Sequence, residues 1–231
     1  MNLDLFDSYH IRARLSVSII FLAPVALSMF LCFPEIVSFP TYSVIICVLL
    51  AMTNYTPILQ RMLSKKQDHN YAADFLMPGN QEIPQARKER YYQKLVGLNP
   101  LFNCFSTPND SQEFHECCES AIAFLREKTR GNHLVLEENI NYGFCKNLHR
   151  IKTMAIILCS FCNLFIVLYS IIHYRAIASI PLENYFAFAF NNVLLVFWVV
   201  GVTKSALEHA GEKYALTLLS SIDGISETES E

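Results

Sequence analysis

Apolar and polar residues are strongly segregated along this chain. Four long runs carry almost no charge: residues 15–33, 42–59, 154–174 and 182–203. A helix that crosses a bilayer needs roughly 17–25 mainly apolar residues, and all four runs satisfy that requirement. Buried helices of a large soluble protein are the alternative, but such helices rarely lack charge over this length. The pattern therefore predicts four transmembrane helices.

The first run differs from a cleaved signal peptide. Its apolar stretch is longer than the apolar core of such a peptide, and the following "FPEIVSFP" has no small-residue cleavage site. Pro34 and Pro40 instead favour a short turn, because proline ends helices. Residues 15–59 are therefore predicted to form one transmembrane hairpin, and residues 152–203 a second one.

The basic residues are distributed asymmetrically around the runs. Thirteen of the eighteen Lys and Arg residues lie between the second and third runs. The remaining five are Arg12, Arg14, Arg175, Lys204 and Lys213. Only Arg175 falls in a loop on the side opposite the others. The positive-inside rule then places residues 1–14, the middle segment and residues 204–231 in the cytoplasm.

Composition agrees with a membrane protein. Only 17% of the 231 residues are charged and 52% are hydrophobic, whereas a soluble domain has about 25% charged residues. The expected fold is an all-α membrane protein with four transmembrane helices in two hairpins. A cytoplasmic helical domain, residues 60–151, is inserted between helices 2 and 3. The predicted location is the bacterial inner membrane, so the lipid bilayer is a partner.

The middle segment contains "HECC", residues 115–118, which resembles part of a zinc site. Six neighbouring residues, however, repeat with the spacing of one helical face: Phe114, Cys117, Cys118, Ala121, Ile122 and Leu125. We interpret them as a buried face and predict neither a metal nor a cofactor. Asp110 with Glu113 is predicted to cap this helix. The cysteines of the segment are expected to be thiols, because disulfides are rare in the cytoplasm.

One stretch of the middle segment combines basic and aromatic residues. In "ARKERYYQK" the candidate ligand-binding residues are Arg87, Lys88, Arg90, Tyr91 and Lys94. Such residues can hold phosphates and stack bases; the alternative is a solvated face near anionic lipid headgroups. Thirteen basic and eleven acidic residues lie between the second and third runs, which gives this segment a net charge of only +2. It is therefore not a general nucleic-acid-binding domain, and only a local phosphate-binding pocket is expected. No catalytic constellation is recognisable, so we do not predict an enzyme.

The stretch before the third run, "LEENINYGFCKNLHRIK" (residues 136–152), mixes a glycine, aromatics and cations. Gly143 costs a helix about 1 kcal/mol relative to alanine, and we expect it to permit a bend or a close approach. Lys146 and Arg150 are added to the candidate ligand-binding residues. The predicted coupling motif comprises Glu138, Asn139, Tyr142, Gly143, Phe144 and Asn147. A membrane-surface collar without a moving part is the alternative interpretation.

Four asparagines lie inside the third and fourth predicted spans: Asn163, Asn184, Asn191 and Asn192. Polar side chains at bilayer depth face protein or water. They are therefore candidate pore-lining residues, with hydrogen bonding between helices as the alternative. Four spans without intramembrane charge do not enclose a wide channel alone, so a pore requires a symmetric oligomer.

Three elements of the chain resemble parts of a known bacterial family. They are "ENINYGFCKNL" (residues 138–148), "YHIRARL" before the first run and "ALEHAGEKYALTLL" after the last. The family consists of four-span, pore-forming effectors encoded in anti-phage defence operons, among which the chain is most similar to the membrane effectors of Hailong-type systems. Lys146 stands where arginine is commoner in that family; it keeps the charge but loses the bidentate geometry.

The resemblance implies a function. It predicts a homo-oligomeric pore, for which a tetramer is one arrangement, that depolarises or permeabilises the membrane during phage infection. It also implies gating by a nucleotide or oligonucleotide from a nucleotidyltransferase encoded nearby. The main alternative is a membrane-anchored scaffold that recruits a cytoplasmic enzyme, and an enzyme acting on lipid comes third.

Overall fold

A computed structural model describes residues 8–33, 44, 48, 69–174 and 176–225. Their helices are α1 (Ser16–Cys32), α2 (Tyr71–Leu76), α3 (Gln85–Leu98), α4 (Gln112–Lys128), α5 (His133–His173), α6 (Leu182–Val196) and α7 (Lys204–Ser220). Two π-helical segments, His10–Leu15 and Phe197–Gly201, precede α1 and follow α6. Short 3₁₀ turns occupy Pro100–Ser106, Ile177–Ser179 and Ser221–Gly224. The described part of the chain is all-helical, as predicted.

Three described helical segments are long and apolar enough to cross a membrane: His10–Cys32, His133–His173 and Leu182–Gly201. They coincide with the first, third and fourth apolar runs, so the described residues support a membrane protein. The second predicted span, residues 42–59, lies outside the described residues except for Val44 and Val48.

Helix α5 is a single element of 41 residues. At 1.5 Å per residue its length is about 60 Å, twice the thickness of a bilayer's hydrocarbon core. The stretch that the sequence presents as a lead into the third run is therefore the first half of the same helix. The chain divides into two compact units, and the divisions fall between Tyr142 and Gly143 and between Leu207 and Glu208.

The membrane unit comprises the described residues among 8–48 together with 143–174 and 176–207. Within it, α1 packs along α6. The amide Nδ2 of Asn191 donates to Ser28 Oγ at 2.9 Å, and that hydroxyl donates to the carbonyl of Pro24. Pro24 interrupts the backbone hydrogen bonding of α1 because it lacks an N–H. The asparagine and serine therefore join the two helices beside the proline.

The second unit comprises residues 69–142 and 208–225. Phe114, Cys118, Ala121, Ile122 and Leu125 are buried on α4, which confirms the predicted apolar face. Residues of α2, α3 and α7 complete this core. Aromatic rings fill its centre, and the rings of Tyr92 and Phe105 stack with centroids 5.3 Å apart. The core is assembled from segments far apart in sequence.

Two local predictions for the second unit are wrong. The N-cap of α4 is Ser111, whose Oγ accepts from the N–H of Phe114 at 3.1 Å. Asp110 instead accepts from the N–H of Gly79 at 3.0 Å. Cys104 and Cys117 are not free thiols but form a disulfide. The 3₁₀ turn after α3 brings Cys104 to a Cα–Cα distance of 6.8 Å from Cys117, within the range that a disulfide spans.

We predict that Gly211→Ala destabilises the second unit. A Cβ on Gly211 would lie 2.5 and 2.7 Å from the Cε2 and Cδ2 atoms of Tyr71 and 3.2 Å from Cε2 of Tyr142. Both rings pack against the core, so neither can move aside without disturbing it, and such overpacking costs about 1–3 kcal/mol.

Maleimide labelling of Cys118, read by mass spectrometry of its peptide, measures this effect. Cys118 is fully buried, and burial raises the pKa of its thiol to about 12, so it reacts only when the core opens. Labelling should be at least about fivefold faster in Gly211→Ala. Gly131→Ala is the matched control, because no atom lies within 4 Å of its added Cβ. Equal rates in both variants would contradict the prediction.

Candidate ligand-binding and coupling sites

One face of α3 carries the predicted cations. Positions 87, 90, 91 and 94 are spaced i, i+3, i+4 and i+7, which places them on one side of the helix. The guanidinium carbons of Arg87 and Arg90 lie 5.5 and 5.9 Å from the ring centroid of Tyr91. Both separations fit cation–π contacts. We call Arg87, Arg90, Tyr91 and Lys94 the α3 face.

Tyr91 belongs to the core beneath that face. Only 1% of its surface is exposed. Burial raises the pKa of its hydroxyl, and the neighbouring Arg87 opposes the shift. The ring therefore supports the two arginines from below, and the structure does not present it as an open stacking platform for a base.

An acidic residue that the sequence reasoning missed lies on the α3 face. Asp223, in the 3₁₀ turn after α7, places Oδ2 2.5 Å from Arg90 Nη2 and Oδ1 3.4 Å from Lys94 Nζ. Lys94 Nζ also donates to the backbone carbonyl of Asp223 at 3.0 Å. The separation of 133 residues between Arg90 and Asp223 explains why no local pattern predicts this pair.

Lys88 does not share the α3 face. It is fully buried, and its ammonium donates to the carbonyl of Met77 at 2.7 Å and to that of Asn80. Burial lowers the pKa of this lysine, and the charge of Asp110 opposes the shift. Lys88 therefore holds the loop between α2 and α3 and is not positioned to meet a ligand at the surface.

Lys146 and Arg150 are half-buried residues of α5 and belong to the membrane unit. The α3 face belongs to the second unit. The predicted ligand-binding residues are thus divided between the two units. Within the second unit, the structure brings together Arg87, Arg90 and Lys94.

The first part of the coupling motif contacts α7 within the second unit. Glu138 Oε1 lies 2.8 Å from Lys213 Nζ, and the carboxylate side chain is only 19% exposed. The rings of Tyr142 and Tyr214 stack 5.9 Å apart with a 10° angle between their planes. Gly211 lies one turn before Tyr214 on α7, and the rings of Tyr71 and Tyr142 occupy the space that its missing side chain leaves. Asn139, next to Glu138 on α5, is half-buried.

The second part of the motif contacts the N-terminal segment within the membrane unit. A Cβ on Gly143 would lie 2.6 Å from the hydroxyl oxygen of Tyr9 and 3.0 Å from two ring carbons. Asn147 is buried, and its Nδ2 donates to the carbonyl of Ala13 at 2.7 Å. Phe144 packs against the apolar cluster of this unit. The close approach that the sequence led us to expect at Gly143 is therefore present, on a helix that is a single element.

Lys152 performs a role that the sequence reasoning did not assign. Its ammonium donates to the carbonyls of Val202 and Val199 at 2.7 and 3.1 Å. These carbonyls lie at the end of the π segment after α6, where backbone acceptors lack partners within the helix. Lys152 therefore caps this helix end by joining it to α5.

Two of the candidate pore asparagines make hydrogen bonds inside the protomer. Asn184 Nδ2 donates to Ser170 Oγ at 3.2 Å, and Asn191 is bonded to Ser28 as described above. Asn163 is 9% exposed, and its side-chain oxygen has no partner among the described residues. Asn192 is half-exposed and donates to the carbonyl of Phe188 on its own helix at 2.8 Å. Asn192 is therefore the one of the four whose side chain reaches the outside of the protomer.

Comparison with protein-family models, curated proteins and solved structures found no match. The described residues also contain no group of three or more His, Cys, Asp or Glu side chains placed to hold a metal ion. The family resemblance of the three sequence elements therefore stays a prediction, and what the arrangement can do is argued from its geometry.

We predict that Lys88→Met weakens the second unit. The substitution keeps much of the aliphatic volume but removes the ammonium donor from the carbonyl of Asn80 and leaves that of Met77 with only the backbone N–H of Asn80. A buried acceptor that loses its partner costs about 1–3 kcal/mol. Labelling of Cys118 should therefore be faster than in the unsubstituted protein. If Lys88→Met instead weakens anion binding and leaves Cys118 protected, Lys88 is a ligand residue after all.

We predict that the effect of Gly143→Ala depends on Tyr9. The added methyl group collides with the Tyr9 ring, so it should destabilise the membrane unit by about 1–3 kcal/mol. In a Tyr9→Ala background the collision is absent and the cost should largely disappear. Thermal unfolding in detergent, followed by fluorescence of the single, buried Trp198, measures both changes. Additive effects of the two substitutions would exclude a direct Tyr9–Gly143 contact.

Proposed function

We propose that the protein is an oligomeric membrane pore of bacterial anti-phage defence, gated by a nucleotide or oligonucleotide from a partner nucleotidyltransferase. The observation that carries the proposal is the convergence of the three family-like elements on α5. Tyr9 and Ala13 contact Gly143 and Asn147, while Lys213 contacts Glu138. Each unit thus contains one family-like element that contacts its own part of the motif on α5.

Helix α5 is suited to transmit a signal. A continuous α-helix is stiff because each turn is hydrogen-bonded to the next. We propose that a displacement of its first ten residues is passed along the helix to the part that carries Asn163. A ligand shifts such an equilibrium only through contacts that differ between two states. The Glu138–Lys213 ion pair and the Tyr142–Tyr214 stack are contacts that such a shift would change.

The α3 face supplies the anion-binding chemistry that the proposal requires. Arg87, Arg90 and Lys94 provide three cations on one side of a helix, and arginine binds phosphate through two parallel hydrogen bonds. The location proposed for the protein is the bacterial inner membrane, with both termini and the second unit in the cytoplasm, where a nucleotide signal is produced. The Cys104–Cys117 disulfide is then an exception to the rule that cytoplasmic cysteines stay reduced.

A membrane-anchored scaffold is the second candidate. The bonds of Asn184 to Ser170 and of Asn191 to Ser28 favour it, because they satisfy polar groups inside one protomer. An anchor needs such interhelical bonds but no polar surface towards an aqueous pathway. The two functions therefore differ in what they predict for Asn192, whose side chain reaches the surface of the protomer.

We predict that Asn192→Leu reduces ion flux about tenfold or more in liposomes containing the reconstituted protein, because it replaces an exposed amide along the pathway with an apolar group. Oligomer size, measured by mass photometry, should not change. Asn191→Leu is the matched variant and should mainly weaken the α1–α6 packing, lowering the unfolding temperature reported by Trp198. Absence of flux from the unsubstituted protein, with and without nucleotide extracts of infected cells, would favour the scaffold.

A further inference from the structure

We infer that Arg90 and Lys94 form a phosphate-binding site that the chain's own Asp223 carboxylate occupies until a phosphate group displaces it. The inference rests on the proposed function, because it assigns to the α3 face both a ligand class and a way of controlling access. Asp223 acts as the internal competitor of the ligand.

The geometry around Asp223 is that of a bound oxyanion. One carboxylate oxygen lies 2.5 Å from Arg90 Nη2 and the other 3.4 Å from Lys94 Nζ. The same ammonium reaches the backbone carbonyl of Asp223 at 3.0 Å. Two cations from successive turns of α3 thus converge on one acidic residue. A phosphate group also presents several acceptor oxygens, and it carries more negative charge than a carboxylate.

The α3 face has an excess of positive charge, which favours an anion that carries more negative charge than Asp223. Arg87, Arg90 and Lys94 contribute three positive charges, whereas Asp223 contributes one negative charge. Tyr91 holds the two guanidiniums in place from below, so little ordering remains to be done when a phosphate binds. A phosphate monoester carries nearly two charges at neutral pH and gains more from this excess than a carboxylate does.

The internal pair is also easy to displace. The side chains of Arg90, Lys94 and Asp223 are 54%, 38% and 34% exposed, so solvent and solutes reach all three. Exposed ion pairs of this kind contribute little to stability, because water screens the charges. Ile222 is fully buried and anchors the turn, which means that Asp223 can release the cations by rotating its side chain while the turn stays in place.

The test measures pyrophosphate binding by the full-length protein in phosphatidylcholine nanodiscs, using isothermal titration calorimetry. Asp223→Asn should bind pyrophosphate about three- to tenfold more tightly than the unsubstituted chain, because the competing charge is removed. Arg90→Gln and Lys94→Gln should each weaken binding by about fivefold or more. Glu127→Gln is the matched control: it removes one negative charge from an exposed position of α4 and should change the affinity less than about twofold.

Nanodiscs that contain phosphatidylglycerol separate the two sources of phosphate. If lipid headgroups fill the site, the advantage of Asp223→Asn over the unsubstituted chain disappears in these nanodiscs. If the natural ligand is soluble, the advantage persists there. Both results support displacement of Asp223 and differ only in the origin of the phosphate.

Two results would overturn the inference. One is an Asp223→Asn protein that binds pyrophosphate no more tightly while Cys118 remains protected from labelling. The other is unchanged binding in Arg90→Gln and Lys94→Gln, which keep Asp223 and so do not depend on how Asp223→Asn folds. Ion flux is measured separately: tighter pyrophosphate binding without flux would retain this site and reject the pore, and nucleotide-dependent flux with unchanged binding would do the reverse.

Discussion

The structure depends on one constraint, which is the continuity of α5. Inside a bilayer every backbone N–H and C=O must be bonded within the protein, and an unbroken helix of 41 residues meets that demand without a turn at the point where its surroundings change. Its sequence changes along its length to match, from a mixture of charged, polar and apolar residues before Met154 to a mainly apolar stretch without Lys, Arg, Asp or Glu after it. Within each unit, the neighbouring elements pack against that unit's own part of α5.

They do so by packing rings onto glycines. Gly143 on α5 leaves room for the Tyr9 ring within the membrane unit, and Gly211 on α7 leaves room for Tyr71 and Tyr142 within the second unit. A glycine inside a helix costs about 1 kcal/mol relative to alanine. That cost is offset where an aromatic ring, which buries a large apolar area, lies against the bare backbone. The two glycines therefore determine where these rings pack, whereas the surrounding apolar residues are less specific.

Sequence patterns predicted the parts of this arrangement that are local. Charge-free runs identified three helices that the structure describes as membrane candidates, and the 3.6-residue period identified the buried face of α4. The pairing of distant residues was not predictable in this way. Three contacts show this: the Asp223–Arg90 ion pair, the Tyr9 ring against Gly143 and the Cys104–Cys117 disulfide. Each contact joins segments whose hydrophobic periodicity gives no sign of the partner. Lys88 shows the converse, since a lysine among surface cations on α3 is buried by a loop that only the tertiary fold brings over it.

The distribution of polar groups in the membrane unit bears on how such a protein would conduct ions. Asn184 and Asn191 use their donors on serines inside the protomer. The outward surfaces of α5, α6 and the π segment after α6 are largely apolar, as at Phe161, Val193 and Val200. The walls of the proposed pathway between copies of this chain would therefore be largely apolar, with Asn192 among the few polar groups that the described helices supply. Constrictions of this kind close by excluding water and open when their walls move apart. In the proposed pore, a modest displacement of these helices would then be sufficient for gating, because the pathway would need to become wetter and would not need a new polar lining.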